Sequence, residues 1–169
     1  MAKVTHKGNP VKLKGELPKL NAEAEDFTYV KNDLKEESLY DLEDIIKVII
    51  AVPSLDTGTC ATETRKFNEK LAAKKGVIGI VISKDLPFAQ RRFCETEGIK
   101  NVMAVSDYRY NDFTENYNTE MLDGALKGLS ARAVFVLDQD NVVKYVELVS
   151  EISSEPDYDK VMAAVEVLL

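Results

Sequence analysis

Residues 45–60 read Ile45-Ile46-Lys47-Val48-Ile49-Ile50-Ala51-Val52-Pro53-Ser54-Leu55-Asp56-Thr57-Gly58-Thr59-Cys60. The first half, Ile45 to Val52, is a nearly continuous β-branched run, apolar but for Lys47, the pattern of a strand buried on both faces of a parallel sheet. Pro53 to Gly58 is rich in turn residues. From Thr59 to Lys74, Cys60, Thr64, Phe67 and Leu71 recur at helical spacing and so predict one face of an amphipathic helix. Val77 to Ile82 is a second buried-strand run, and strand, helix and strand together make a βαβ unit.

Working outward, Val4 to Leu13 alternates around Gly8-Asn9-Pro10 and predicts an N-terminal β-hairpin with its turn there. Phe27 to Val30 is a short strand running into the turn-prone Asn32-Asp33. Asp85 is expected to cap a second helix with Pro87 in its first turn and Cys94 near its end, before Gly98. Val102 to Val105 is a further strand candidate and Asp112 to Tyr117 a short third helix. Ala133 to Leu137 and Val142 to Val149 flank the polar Asp138-Gln139-Asp140-Asn141 as an antiparallel hairpin. Ser154 is the expected N-cap of a last helix whose Tyr158, Val161, Val165 and Leu168 share a face. The order is hairpin, βαβ, α-containing insertion, ββα. It predicts an α/β, thioredoxin-like fold: a central mixed β-sheet flanked by helices, with the N-terminal hairpin added.

The chain has 169 residues, 45% hydrophobic and 30% charged, which fits one globular domain over 1–169 and excludes disordered and low-complexity classes. With 22 basic against 29 acidic residues the net charge is −7, so neither nucleic acid nor an anionic membrane surface is an expected partner. Ile45 to Val52 is far too short to span a bilayer. The first ten residues hold no apolar h-region, and the expected location is cytoplasmic. Cys60 and Cys94 are too few for a disulfide scaffold, and in a reducing compartment such a pair is transient or catalytic more often than structural. His6 is the only histidine, which removes most of the raw material for Cys/His zinc sites and for Ser-His-Asp or Cys-His catalysis; no metal or cofactor is expected.

Thiol chemistry must then be activated without histidine. Cys60 falls in the first turn of a helix, where unpaired backbone N–H groups and the positive end of the helix dipole favour a thiolate. Thr57 can point its hydroxyl at the sulfur or at a substrate oxygen, and Pro53, which has no N–H, can shield the sulfur on one side. A cysteine on the inner face of a helix is ordinarily an inert hydrophobe. The combination of strand end, helix start, neighbouring threonine and a second cysteine points instead to a reactive one.

At these residues the chain resembles a known family. Pro53-Ser54-Leu55-Asp56-Thr57-Gly58-Thr59-Cys60-Ala61-Thr62, followed by Arg65-Lys66-Phe67-Asn68-Glu69, is similar to the active-site signature of bacterial thiol peroxidases, the atypical two-cysteine peroxiredoxins. The likeness extends through Gly8-Asn9-Pro10, Asp85-Leu86-Pro87-Phe88-Ala89-Gln90, Arg92-Phe93-Cys94, Leu126-Lys127-Gly128-Leu129, Ala131-Arg132-Ala133-Val134 and Glu155-Pro156-Asp157-Tyr158. It implies that Cys60 is the peroxidatic cysteine and Cys94 the resolving one, with Pro53, Thr57 and Arg132 completing the active site. It also implies reduction of hydrogen peroxide and alkyl hydroperoxides, a Cys60–Cys94 disulfide recycled by thioredoxin, and a homodimer. A resolving cysteine five residues after Cys60 would stand at Arg65, and a Cys-x-x-Cys pair would need Glu63 replaced. Cys94 lies on a different helix from Cys60, so joining them requires partial unwinding.

Thr59, and Glu63-Thr64 where Ser-Val is common, depart from the family pattern, and Glu63 is expected to face solvent. Lys74-Lys75 and Arg91-Arg92 are expected at the surface, as is His6. Tyr108, Tyr110, Phe113 and Tyr117 are core or interface candidates, and at an interface they would contribute to the dimer. A redox sensor or relay using the same disulfide is the alternative function, and an inert thioredoxin-fold module a third; sustained peroxide turnover separates the first reading from both.

Overall fold

The computed structural model describes residues 3–169. A two-stranded ribbon, β1 (Val4–His6) and β2 (Asn9–Val11), precedes a seven-stranded sheet. In chain order its elements are β3 (Thr28–Val30), β4 (Glu36–Ser38), β5 (Ile46–Ala51), α1 (Gly58–Leu71), β6 (Val77–Ser83), α2 (Pro87–Glu97), β7 (Val102–Ser106), α3 (Asp112–Tyr117), β8 (Ala133–Leu137), β9 (Val143–Leu148) and α4 (Tyr158–Leu168). Across the sheet the order is β4-β3-β7-β6-β5-β8-β9. β5, β6 and β7 run parallel, while β8 and β9 continue the sheet antiparallel on one side and β3 and β4 on the other. This is the mixed sheet with flanking helices that the sequence predicts.

β5 lies between β6 and β8, and all six of its residues are buried, including Lys47. One sheet face packs Val48, Ile50 and Val134 against Cys60, Phe67 and Leu71 of α1 and Val161 and Val165 of α4. The other face buries Ile49, Ile80 and Phe135 under an aromatic cluster. There Phe113 and Tyr117 stack at 4.7 Å between ring centroids, with Phe27 5.0 Å from Phe113. The four aromatics of 108–117 therefore divide: Phe113 and Tyr117 are core, whereas Tyr108 and Tyr110 are exposed.

The structure corrects several local expectations. The first hairpin turns at Lys7-Gly8, both at positive φ, ahead of Asn9 and Pro10, which belong to β2. His6 is half-buried in β1, and Lys74 is partly covered as it pairs with Glu166. Glu36–Ser38 forms an edge strand that its residue types do not predict. The last helix is capped by Asp157, whose carboxylate accepts from Lys160 N at 3.1 Å, three residues after Ser154. Asp85 caps nothing: Leu86 occupies the N-cap position of α2, and Asp85 turns toward the 53–57 loop. Among the described residues no helix is long and apolar enough to cross a membrane.

Candidate active site

The site begins where β5 ends. Thr57 is the N-cap of α1: its Oγ1 accepts from Cys60 N at 3.4 Å and donates to the Ser54 carbonyl at 3.1 Å. Its hydroxyl hydrogen thus goes to the loop in this state, and the side chain acts first as a cap. Asp85 braces the loop from the end of β6, accepting from Ser54 Oγ at 2.7 Å, Leu55 N at 2.8 Å and Ser83 Oγ at 2.7 Å. Three donors on one carboxylate fix the segment that presents Cys60. Pro53 is buried within the same turn.

Cys60 has no solvent exposure. Arg132 Nη1 lies 3.3 Å from its Sγ, and the same Nη1 donates to Glu63 Oε2 at 2.6 Å. Arg132 Nε donates to the Ile152 carbonyl at 2.8 Å. The sheet makes this meeting possible. β8 runs antiparallel to β5 with Ala133 opposite Ala51, so the residue just before β8 stands beside the C-terminal end of β5, from which α1 departs.

Glu63 is fully buried, one turn along α1 from Cys60 and on the same face, which overturns the expectation that it faces solvent. The reason is Arg132, a buried cation that needs a counter-charge. Burial pushes the Glu63 carboxyl up to about 7, with Arg132 pulling against it. Burial opposes the charge of Arg132 in turn, but Glu63 and Cys60 together hold the guanidinium above its usual range. Among the described residues Glu63 Oε1 has no hydrogen-bond partner.

Cys94 is half-buried on α2 and packs against the same core face as Cys60; both are free thiols. Burial pushes the Cys94 thiol up, with Asn32 partly offsetting it. Between the 53–57 loop and α2 runs a groove of about 310 Å³ that includes Leu55, Ala89, Arg92 and Phe93; Cys60 is not among its lining residues. Among the described residues no group of three or more His, Cys, Asp or Glu could hold a metal ion.

The family model described as Redoxin matches residues 19–162. The chain belongs to the Redoxin family. Along its whole length this redoxin is 53% identical to a thiol peroxidase of Leptospira interrogans serogroup Icterohaemorrhagiae, 100% of each chain being covered. A peroxiredoxin-like protein from Aquifex aeolicus superposes with a TM-score of 0.95 at 48% identity, over 100% of this chain and 98% of that one. A thiol peroxidase from Chromobacterium violaceum shares the fold alone: its TM-score is 0.90 at 22% identity, over 98% of this chain and 95% of that one. The family and the full-length relatives mark this redoxin as a peroxiredoxin-type peroxidase.

Of the residues singled out from the sequence, the redoxin structure brings Cys60, Thr57, Pro53 and Arg132 to one end of β5, and leaves Cys94 on the neighbouring helix. Two supporting residues, Asp85 and Glu63, were not read as part of the site. For Glu63 the available signal was its place three residues after Cys60, on the apolar face of α1. For Asp85 it was the short distance from a buried strand end to the next helix.

Proposed function

We propose that the enzyme reduces hydrogen peroxide and alkyl hydroperoxides by a two-cysteine cycle in the cytoplasm. The Cys60 thiolate attacks the terminal peroxide oxygen: an S–O bond forms, the O–O bond breaks, and its electron pair leaves on the second oxygen, which is protonated to water or an alcohol. The observation that carries this reading is the Arg132 N–H aimed at Cys60 Sγ from 3.3 Å at the start of a helix. A permanently charged guanidinium there steadies the thiolate and the charge growing on the leaving oxygen. Thr57, already bonded to Cys60 N, is placed to donate to the peroxide once its hydroxyl swings from Ser54. Pro53 closes the turn around the sulfur.

The resulting sulfenic acid is then attacked by Cys94; an S–S bond forms and water leaves. Two thiols of a thioredoxin return both cysteines to the reduced state and become a disulfide themselves. Because Cys60 is fully buried and Cys94 is half-buried on another helix, resolution requires one or both helix segments to unwind. Exposure also removes the burial that pushes the Cys94 thiol up. The reading includes a homodimer, for which exposed Leu86, Phe88 and Tyr110 offer apolar surface.

The test is intact mass and a non-reducing peptide map of the reduced protein after one equivalent of peroxide. A loss of about two mass units with the Cys60 and Cys94 peptides joined is expected. Unchanged mass with both thiols free would overturn the cycle, as would full turnover in Cys60→Ser. Arg132→Met should slow peroxide consumption with thioredoxin as the reductant. A chain that oxidises once and does not recycle would be a sensor.

A further inference from the structure

Arg132 brings one nitrogen, Nη1 with its two hydrogens, to two acceptors. Its Nη1 is 2.6 Å from Glu63 Oε2 and 3.3 Å from Cys60 Sγ, and its Nε is committed to the Ile152 carbonyl. Glu63 and Arg132 are sealed from solvent at 0% and 2% exposure, so water does not dilute the competition. Glu63 Oε1, buried and unpartnered, gives the carboxylate no further donor to satisfy its charge. Such a group leans on its one cation when ionised and releases it when protonated.

We infer that Glu63 is a positioning residue for the peroxidase reaction, its carboxylate sharing the buried charge of Arg132 with Cys60 so that protonation of Glu63 leaves that charge to the sulfur and the leaving oxygen. The inference rests on the reading of Cys60 as the peroxidatic thiol. When Glu63 is ionised, the strong charge-assisted bond goes to the carboxylate and the sulfur receives the longer one. When it is neutral, the guanidinium faces a single anion in the pocket, the thiolate. The other charges that reach Glu63 are Glu147 on β9 and Glu155 ahead of α4, and Tyr158 of α4 couples to it. Lys66 is paired with Glu155, and among the described residues no second cation is bonded to Glu63. Burial raises the Glu63 carboxyl to about 7, and both neighbouring carboxylates add to that opposition to its ionisation.

The experiment is the second-order rate of Cys60 oxidation by hydrogen peroxide, followed in a single turnover from about pH 5.5 to about pH 8.5, for the parent and Glu63→Gln. Glutamine keeps the size and an oxygen to accept from Nη1 but cannot ionise. The ratio of variant to parent rate should rise roughly fivefold across that range, with its midpoint near neutrality, as the parent carboxylate ionises and offsets the guanidinium charge that the sulfur otherwise receives. A flat ratio with Cys60 still reacting in both proteins would overturn the inference and leave the peroxidase reading intact. If Cys60 reacts in neither, the peroxidase reading fails and takes the inference with it. A measurement on the unsubstituted side chain holds even if the variant does not fold: carbon NMR of side-chain-labelled glutamate in the reduced protein. One carboxyl should titrate near neutrality and move in Cys60→Ser, where Arg132 loses its second anion. Titration of every glutamate in the ordinary acid range would overturn the inference.

Discussion

Replacing Glu63 by glutamine should make the protein's stability less sensitive to pH, by an amount that follows from the burial of one carboxyl. In the folded protein burial holds Glu63 at about 7, against an ordinary value of 4.5. Between those values the folded state binds the proton more tightly than the unfolded chain does. Stability associated with this group is therefore fully present below 4.5 and is lost as pH rises through 7. At about 1.36 kcal/mol per pH unit, the interval amounts to about 3 kcal/mol. The side chain has no solvent exposure, so no screening discount applies. Surface carboxylates act in the opposite direction: donors from Ser153, Gly8 and Thr5 hold Glu151 below the usual range, and its contribution is lost on acidification. That effect is common to parent and variant and cancels in their difference. Urea unfolding followed by far-ultraviolet circular dichroism, with both cysteines kept reduced, gives that difference at each pH. The variant should gain on the parent by about 3 kcal/mol between about pH 4 and about pH 8. A difference constant within about 0.5 kcal/mol would refute the reasoning, because a buried carboxyl raised toward neutrality cannot avoid this linkage.

Thr57→Val removes the N-cap of α1 and should cost about 1 kcal/mol in urea unfolding. It should also slow peroxide consumption, since the lost hydroxyl accepts from Cys60 N and, on the proposed mechanism, donates to the peroxide. Asp85→Ala strips the acceptor from Ser54 Oγ, Leu55 N and Ser83 Oγ, and should cost about 2 kcal/mol or more. Hydrogen exchange should then report a looser 53–57 loop, and peroxidase activity should fall with it. In Cys94→Ser, one equivalent of peroxide should add about 16 mass units at Cys60 in place of the loss of two, because the sulfenic acid has no internal thiol to condense with.

The parts of the fold that can be read from sequence are those in which local pattern and tertiary role agree. Ile45 to Val52 is mostly β-branched because β5 is covered on both faces, and Asn111 to Asn118 brackets a short helix with left-handed residues at both ends. Gly98 ends α2 at φ 66°, where a glycine is the natural residue. Glu36-Glu37-Ser38 gives no such signal. It is an edge strand whose ladder partner is β3, and its charges suit an edge while hiding the strand. At the start of α4 the competition was between two valid caps, Ser154 and Asp157, with Pro156 between them. Lys7 at φ 51° beside Gly8 moved the first turn against the ordinary preference of lysine. Glu63 was misread for a different reason. A carboxylate on the apolar face of a helix is expected to reach for water, and its actual partner lies 69 residues away in sequence. Long-range charge pairing of this kind leaves no local period to detect.

The register of β5 against β8 carries a consequence for how the chain can vary. Cys60 and Arg132 are separated by 72 residues, yet the interval between them is set by two hydrogen-bonded neighbours, Ala51 and Ala133, within one ladder. The backbone thus acts as a ruler: the distance between the Cys60 sulfur and the Arg132 guanidinium is measured across adjacent strands and owes little to the path of the chain between them. Segments that leave this ladder, such as the exposed residues Lys127 and Gly128 before β8, can change in length without moving the guanidinium from the sulfur. Insertions there should be tolerated where a single-residue slip of β8 would not be, since a slip would carry Arg132 to the wrong face of the sheet.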